Sequence, residues 1–225
     1  MKIEAIGVSK SFLREGKGTN MLVAVSETDF SLPEGTFTIL KGRSGSGKST
    51  LLNMLAGLLA PTTGRVLLDG RDLAQLGDDE LSRLRNAKIG IIPQGQTGLE
   101  CLTVLENVML PQTVYGERDG LRERAERLLD ELGISHLRDA RPKELSGGEM
   151  RRMSIARALA GSPAMILADE PTSDLDDENT ALVFRMLREA ADGGAAALVV
   201  THEPDAEKYA DKTYRMSAGA IAEEG

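Results

Sequence analysis

The chain has 225 residues, with 27 Lys+Arg against 35 Asp+Glu and a formal net charge of −8, a length that suits one large domain, or a core domain with a subdomain, without disulfide or metal staples. The acidic balance argues against nucleic-acid binding through overall charge, while a single cysteine, Cys101, and two histidines, His136 and His202, exclude an internal disulfide and any Cys- or His-rich metal cluster. The most apolar stretch, residues 51–60, is far short of the ~18 residues of a membrane span, and the N-terminus has no signal-peptide core, so composition points to a soluble, cytoplasmic protein.

Residues 2–8, 22–30 and 36–40 read as strands, separated by the turn signals Glu15-Gly16-Lys17-Gly18 and Pro33-Glu34-Gly35. A Gly/Ser-rich loop at 42–49 leads into a helix expected over 50–59 and stopped by Pro61. Residues 64–68 and 89–92 read as strands, with a polar, helix-like stretch at 78–88 between them. Leu121, Ala125, Leu128, Leu129 and Leu132 then fall at helical spacing, with Glu123–Arg127 as an i,i+4 pair and Gly133 as a C-terminal cap. Residues 149–160 read as another helix, closed by Gly161 and Pro163, so 95–161 is expected to be a mostly helical insertion. Residues 164–168 and 195–200 are continuous apolar runs, the pattern of parallel strands buried on both faces, and a helix at 177–191 between them completes a βαβ unit.

Gly42-Arg43-Ser44-Gly45-Ser46-Gly47-Lys48-Ser49, followed by Thr50, fits the phosphate-binding loop pattern between a strand and a helix. Its glycines let backbone N–H groups turn inward around a phosphate, and the helix N-terminus adds partial positive charge. Lys48 is placed to reach the β- and γ-phosphates and Ser49 to ligate Mg²⁺. The strand at 164–168 ends in Asp169 and Glu170, at the edge where open α/β sheets bind ligands. Asp169 fits a second Mg²⁺ carboxylate acting through water, and Glu170 fits the group that polarises the attacking water. Ser146-Gly147-Gly148, directly before a helix and closed by Glu149, forms a second anion cradle and at the same time a capping box. One nucleotide seldom needs two cradles on one chain, so two copies facing each other, each completing the other's site, is the economical arrangement.

Together with Thr201-His202, these motifs occur in the order of an ATP-binding cassette (ABC) ATPase, and the chain resembles that family over nearly its whole length. It is most similar to the macrolide-exporter and lipoprotein-releasing subfamily (MacB-like, LolD-like), on the strength of Ser46–Asn53, Pro61–Gly64, Leu102–Val108 and Leu167–Thr172. The resemblance implies an α/β P-loop NTPase fold: a parallel-sheet core with an N-terminal antiparallel β subdomain over 1–94 and 162–225, and a helical subdomain over 95–161. It also implies that Gln94 contacts Mg²⁺ and the attacking water, that Phe12 stacks on adenine, that Asp174 in Ser173-Asp174-Leu175-Asp176 couples two facing sites, and that His202 contacts the γ-phosphate. A solvated glutamine, a core phenylalanine, an acidic helix cap and a structural histidine are the other readings of these residues.

Two positions depart from the family pattern: Glu149 replaces the usual glutamine, and Pro93 precedes Gln94 where relatives often carry an aromatic residue. Cys101 reads as an ordinary thiol. With ATP and Mg²⁺ as cofactors, the resemblance implies a homodimer in the ATP-bound state and a separate transmembrane permease as partner. No nucleic acid is expected, and the implied location is the inner face of the cell membrane. A cell-division-type mechanotransmitter and a soluble, non-transport ABC ATPase are the rival readings.

Overall fold

Continuous apolar runs become strands when both their faces are covered, and the two such runs in this chain lie side by side at the centre of a sheet. The computed structural model describes residues 2–14, 20–95, 97–116 and 119–224, so the turn signal Glu15-Gly16-Lys17-Gly18 lies outside the described residues. In chain order the elements are β1 (Ile3–Arg14), β2 (Asn20–Leu32), β3 (Phe37–Lys41), α1 (Lys48–Leu55), β4 (Thr63–Leu68), β5 (Arg71–Asp72), α2 (Asp78–Lys88) and β6 (Ile89–Ile92). There follow α3 (Val104–Thr113), α4 (Leu121–Glu131), α5 (Gly147–Leu159), β7 (Met165–Asp169), α6 (Asp177–Asp192), β8 (Ala196–Val200), β9 (Lys212–Ser217) and β10 (Ala220–Glu224).

One sheet is antiparallel, in the order β2-β1-β4-β5. The other runs β10-β9-β3-β8-β7-β6, parallel from β9 to β6 with β10 added antiparallel at its edge. Every residue of β7 and β8 is buried, and strand alternation divides them between two cores. Leu167, Leu198 and Val200 join Leu40 on the side covered by α1 and the antiparallel sheet, with Leu51, Leu55, Ile3 and Val66. Ile166, Ala168, Ala197 and Val199 join Ile39 on the other side, against Val108 of α3, Leu129 of α4, Ile155 of α5 and Phe184 of α6. Because β3, β6, β7 and β8 run parallel, their C-terminal ends share one edge, and the 42–49 loop, Gln94, Glu170 and His202 follow them there.

The elements differ from the sequence reading in four places. Helix α1 ends at Leu55 rather than 59, since the N–H groups of Leu58 and Leu59 both turn back onto the Asn53 carbonyl, at 2.9 and 3.1 Å; the chain has left the helix before it reaches Pro61. Strands β1 and β2 continue past the expected ends as a two-stranded ribbon, from Ile3↔Leu32 to Arg14↔Asn20, with register shifts between Ala5 and Ser11. On α4 the i,i+4 ion pair that forms is Arg122–Glu126, at 3.3 Å, one position before the expected Glu123–Arg127. The C-terminal hairpin β9–β10 was not expected at all.

Candidate active site

The glycine-rich loop leaves β3 and enters α1 with no side-chain cap. The first amides of the helix are thus left to the loop, where the helix dipole favours an anion. Gly47 makes this turn at φ 108°, and a Cβ there would lie 2.1 Å from the Ala24 carbonyl oxygen, so β2 closes on the loop as nearly as backbone can. Lys48 is 7% exposed, and its Nζ donates to the carbonyls of Gly42, at 2.6 Å, and Arg43, at 3.1 Å. Its ammonium therefore spans the loop from the helical end to the start.

Opposite this cradle β7 ends in two carboxylates. Asp169 is buried. Glu170 adopts φ 49°, a left-handed conformation uncommon for a residue with a Cβ and often found where function demands a fixed geometry. Its N–H donates to the Val200 carbonyl at 2.9 Å, tying the end of β7 to β8, and its Oε1 lies 3.1 Å from Nε2 of His202. Burial pushes the Glu170 carboxyl above its ordinary range; the neighbouring His202 and Lys48 charges oppose this shift and Asp169 adds to it.

These groups share one cleft of about 540 Å³. Of the candidate residues, it brings together Ser44, Gly45, Gly47, Lys48, Ser49 and Thr50 from the loop and α1, and Gln94, Asp169, Glu170 and His202 from the ends of three parallel strands. Phe12 also lines the cleft, 38% exposed, with the Lys10 ammonium 5.3 Å from its ring centroid. Leu22, which pairs with Phe12, and Val23 and Ala24 of β2 line the cleft too, as does Ser173. The three β2 residues were given no site role from the sequence, whereas Ser173 opens the 173–176 motif named there. No sequence signal marked the β2 wall: Leu22 comes to lie opposite Phe12 only through the β1–β2 register.

The cleft leaves out the other candidates. Gly42, Arg43 and Ser46 line a second depression behind the loop, with Arg215 and Met216 of β9. The 146–149 segment caps α5: the Glu149 N–H donates to Ser146 Oγ at 3.4 Å, and Glu149 Oε2 accepts from both the N–H and the hydroxyl of Ser146 at 2.7 Å. These hydrogen bonds hold the Glu149 carboxyl below its usual range. The start of α5 rests on the turn after β7, where a Cβ on Gly148 would sit 3.1 Å from the Asp174 carbonyl oxygen. Asp174 itself lies outside the cleft lining.

The sequence profile of the family described as "ABC transporter" matches residues 25–173. The lipoprotein-releasing system ATP-binding protein LolD of Aquifex aeolicus is 41% identical over 92% of this chain and 92% of its own. The macrolide export ATP-binding/permease protein MacB of Chlorobaculum tepidum is 35% identical over 99% of this chain, which spans 34% of that longer protein. Among solved structures, a dimeric post-hydrolysis state of the ATP-binding cassette MJ0796 bound to ADP and Pi superposes with a TM-score of 0.91 at 34% identity, covering 99% of this chain and 97% of that one. The chain belongs to the ABC transporter family, as one of its ATPase cassettes.

Proposed function

We propose that this cassette binds ATP with Mg²⁺ in the cleft, closes head-to-tail on a second copy, and through hydrolysis drives a separate membrane permease from the inner face of the membrane. The observation that carries the reading is the presence of two anion cradles on one chain, the first lining the cleft through Ser44, Gly45, Gly47, Lys48 and Ser49 and the second, 146–149, outside it. A second copy presenting its own Ser146, Gly147, Gly148 and Glu149 would supply the missing wall, with Asp174 at the seam. The dimeric form of the MJ0796 cassette and the names of the two relatives support this over a cell-division-type mechanotransmitter or a soluble non-transport ATPase. Among the described residues no helix is long and apolar enough to cross a membrane, consistent with a span on the permease. Residues 95–161 are assigned as the helical subdomain, and 1–94 with 162–225 as the core.

In this reading Phe12 stacks on the base, and the amides of 42–49 with Lys48 hold the β- and γ-phosphates. Ser49, Gln94 and Asp169 line the same cleft and offer the oxygen donors that Mg²⁺ takes, so the residues present fit the ion. Bound there, Mg²⁺ would neutralise phosphate charge. Glu170, fixed by the Val200 carbonyl and facing His202, takes the proton of the attacking water, and His202 reaches the γ-phosphate. The test is Glu170→Gln, which should bind ATP, turn it over very slowly and accumulate as a nucleotide-stabilised dimer in size-exclusion chromatography; near-normal turnover sinks the role of Glu170. Lys48→Ala should lose both nucleotide binding and turnover, and unchanged turnover refutes the cradle.

A further inference from the structure

Met150-Arg151-Arg152 follows the second cradle on α5, yet its two arginines have separate roles. Arg152 bonds to Asn179 Oδ1 of α6, at 2.8 Å. Arg151 is 2% exposed and lies outside the cleft lining, but its guanidinium is attached to two segments that enter the cleft. Nη1 donates to the Pro93 carbonyl at 2.7 Å, and Nη2 donates to the Gln94 carbonyl at 2.6 Å and to Ser173 Oγ at 2.6 Å. The Ser173 hydroxyl donates in turn to the carbonyl of Glu170, at 3.1 Å. One planar cation thus holds the backbone beneath the glutamine after β6 and, through one hydroxyl, the backbone of the glutamate after β7. Both are anchored to the helix whose first turn carries Ser146–Glu149.

Placing an arginine here is costly: burial lowers the affinity of its guanidinium for the proton, while Asp174, Asp169 and Glu170 work the other way. The cost is compensated by charge-assisted hydrogen bonds in a fork that a lysine ammonium, a single point on a flexible stem, cannot reproduce across segments diverging from two strands.

We propose that Arg151 is a positioning residue for ATP hydrolysis: it fixes Gln94 and Glu170 relative to each other and to α5, without touching nucleotide. The inference rests on the ATPase reading above, and the wild-type chain separates the two, because absence of ATP turnover in wild type would overturn that reading itself. The experiment compares Arg151→Met, Arg151→Lys and Ser173→Ala, alone and combined, in the full chain. For each, steady-state kcat and KM, nucleotide affinity and the thermal midpoint are measured. Misplacement of the two groups should lower kcat by about 10- to 100-fold in Arg151→Met, with nucleotide affinity held within about threefold, because the cradle is untouched. Arg151→Lys should recover little of this loss. Ser173→Ala should lower kcat in the wild-type background and have a smaller effect when added to Arg151→Lys, because both changes break one chain of contacts. A kcat within about twofold of wild type in Arg151→Met or Arg151→Lys overturns the proposal. So do parallel losses of kcat, affinity and thermal midpoint, and so does strict additivity with Ser173→Ala; the last test remains decisive if Arg151→Met fails to fold.

Discussion

Gly45 and Gly47 offer a matched pair of substitutions within one loop. Both have positive φ, 75° and 108°, so an alanine at either position takes on left-handed strain of roughly 1–2 kcal/mol. Their surroundings differ. A Cβ on Gly45 meets nothing within 4 Å, whereas one on Gly47 falls 2.1 Å from the Ala24 carbonyl oxygen and 2.8 Å from Met216 Cε. The methionine tip can swing aside, but the Ala24 carbonyl belongs to β2 and cannot. Contact below 3.0 Å is not sustained, so loop and strand must separate by about 1 Å in Gly47→Ala. Strain alone predicts a fall in melting temperature of about 2–8 °C for nucleotide-free Gly45→Ala. Overpacking adds roughly 1–3 kcal/mol in Gly47→Ala, which takes the fall to about 4–20 °C. The displaced loop should also lose nucleotide affinity in Gly47→Ala. Thermal unfolding, followed by titration with a fluorescent ATP analogue, measures both effects. Equal melting shifts, or a larger one for Gly45→Ala, would refute the reading of the loop as closed against β2.

Ser146→Ala removes the hydroxyl of the capping box and should cost about 1 kcal/mol, a melting shift of about 2–4 °C, with a far larger loss of turnover because the second cradle loses its hydroxyl; turnover falling no further than stability counts against the cradle. Phe12→Ala should weaken nucleotide binding by about 1–3 kcal/mol without altering kcat at saturation, and unchanged affinity in equilibrium titration removes the stacking role. The raised carboxyl of Glu170 fixes a pH dependence. A carboxyl raised by folding costs stability in its charged form, fully above the folded-state pKa and not at all below the unfolded value of about 4.3. Nucleotide-free Glu170→Gln should therefore be more stable than wild type at neutral pH, and the gain should fade on acidification; denaturant midpoints from pH 4 to 8 that diverge as pH falls would contradict this. The same shift should move the acid limb of kcat/KM, which reports the nucleotide-free protein, upward from the usual carboxylate range in the wild-type chain.

Burial decided how much of the fold was legible in the sequence. β7 and β8 read clearly because both faces are covered, so no polar residue interrupts them. The outer half of β1 did not: Phe12 and Leu13 pair with Leu22 and Met21 of β2 in a ribbon whose side chains are exposed, which imposes no apolar period. β9 and β10 form an edge hairpin in which Met216 is buried but most neighbours are not, again leaving a weak pattern. Helix α3 was not singled out within the 95–161 insertion: Pro111 inside it interrupts the helical pattern, while a complete capping box of Thr103 and Glu106 holds its start. The phosphate loop and the Asp169-Glu170 pair were legible because their chemistry is local in sequence. The β2 wall of the cleft and the Arg151 tie were not, because each depends on which strands lie side by side.

Net charge illustrates the same point. The chain is acidic, and two of its carboxylates, Asp169 and Glu170, stand in the cleft that the phosphate loop opens onto. Their repulsion for a polyphosphate acts over a few ångströms with little screening, whereas the remaining surface charge is screened within about 8 Å at physiological ionic strength. Local sources must therefore offset it. The amides at the start of α1, the buried Lys48 ammonium and the oxygen-rich set Ser49, Gln94 and Asp169, suited to a divalent cation, all lie within the same cleft. On the proposed reading the carboxylates would give this arrangement its selectivity: a polyphosphate without its cation would meet Asp169 and Glu170 unshielded, so the pair assigned to hydrolysis would also favour the metal complex over the bare nucleotide.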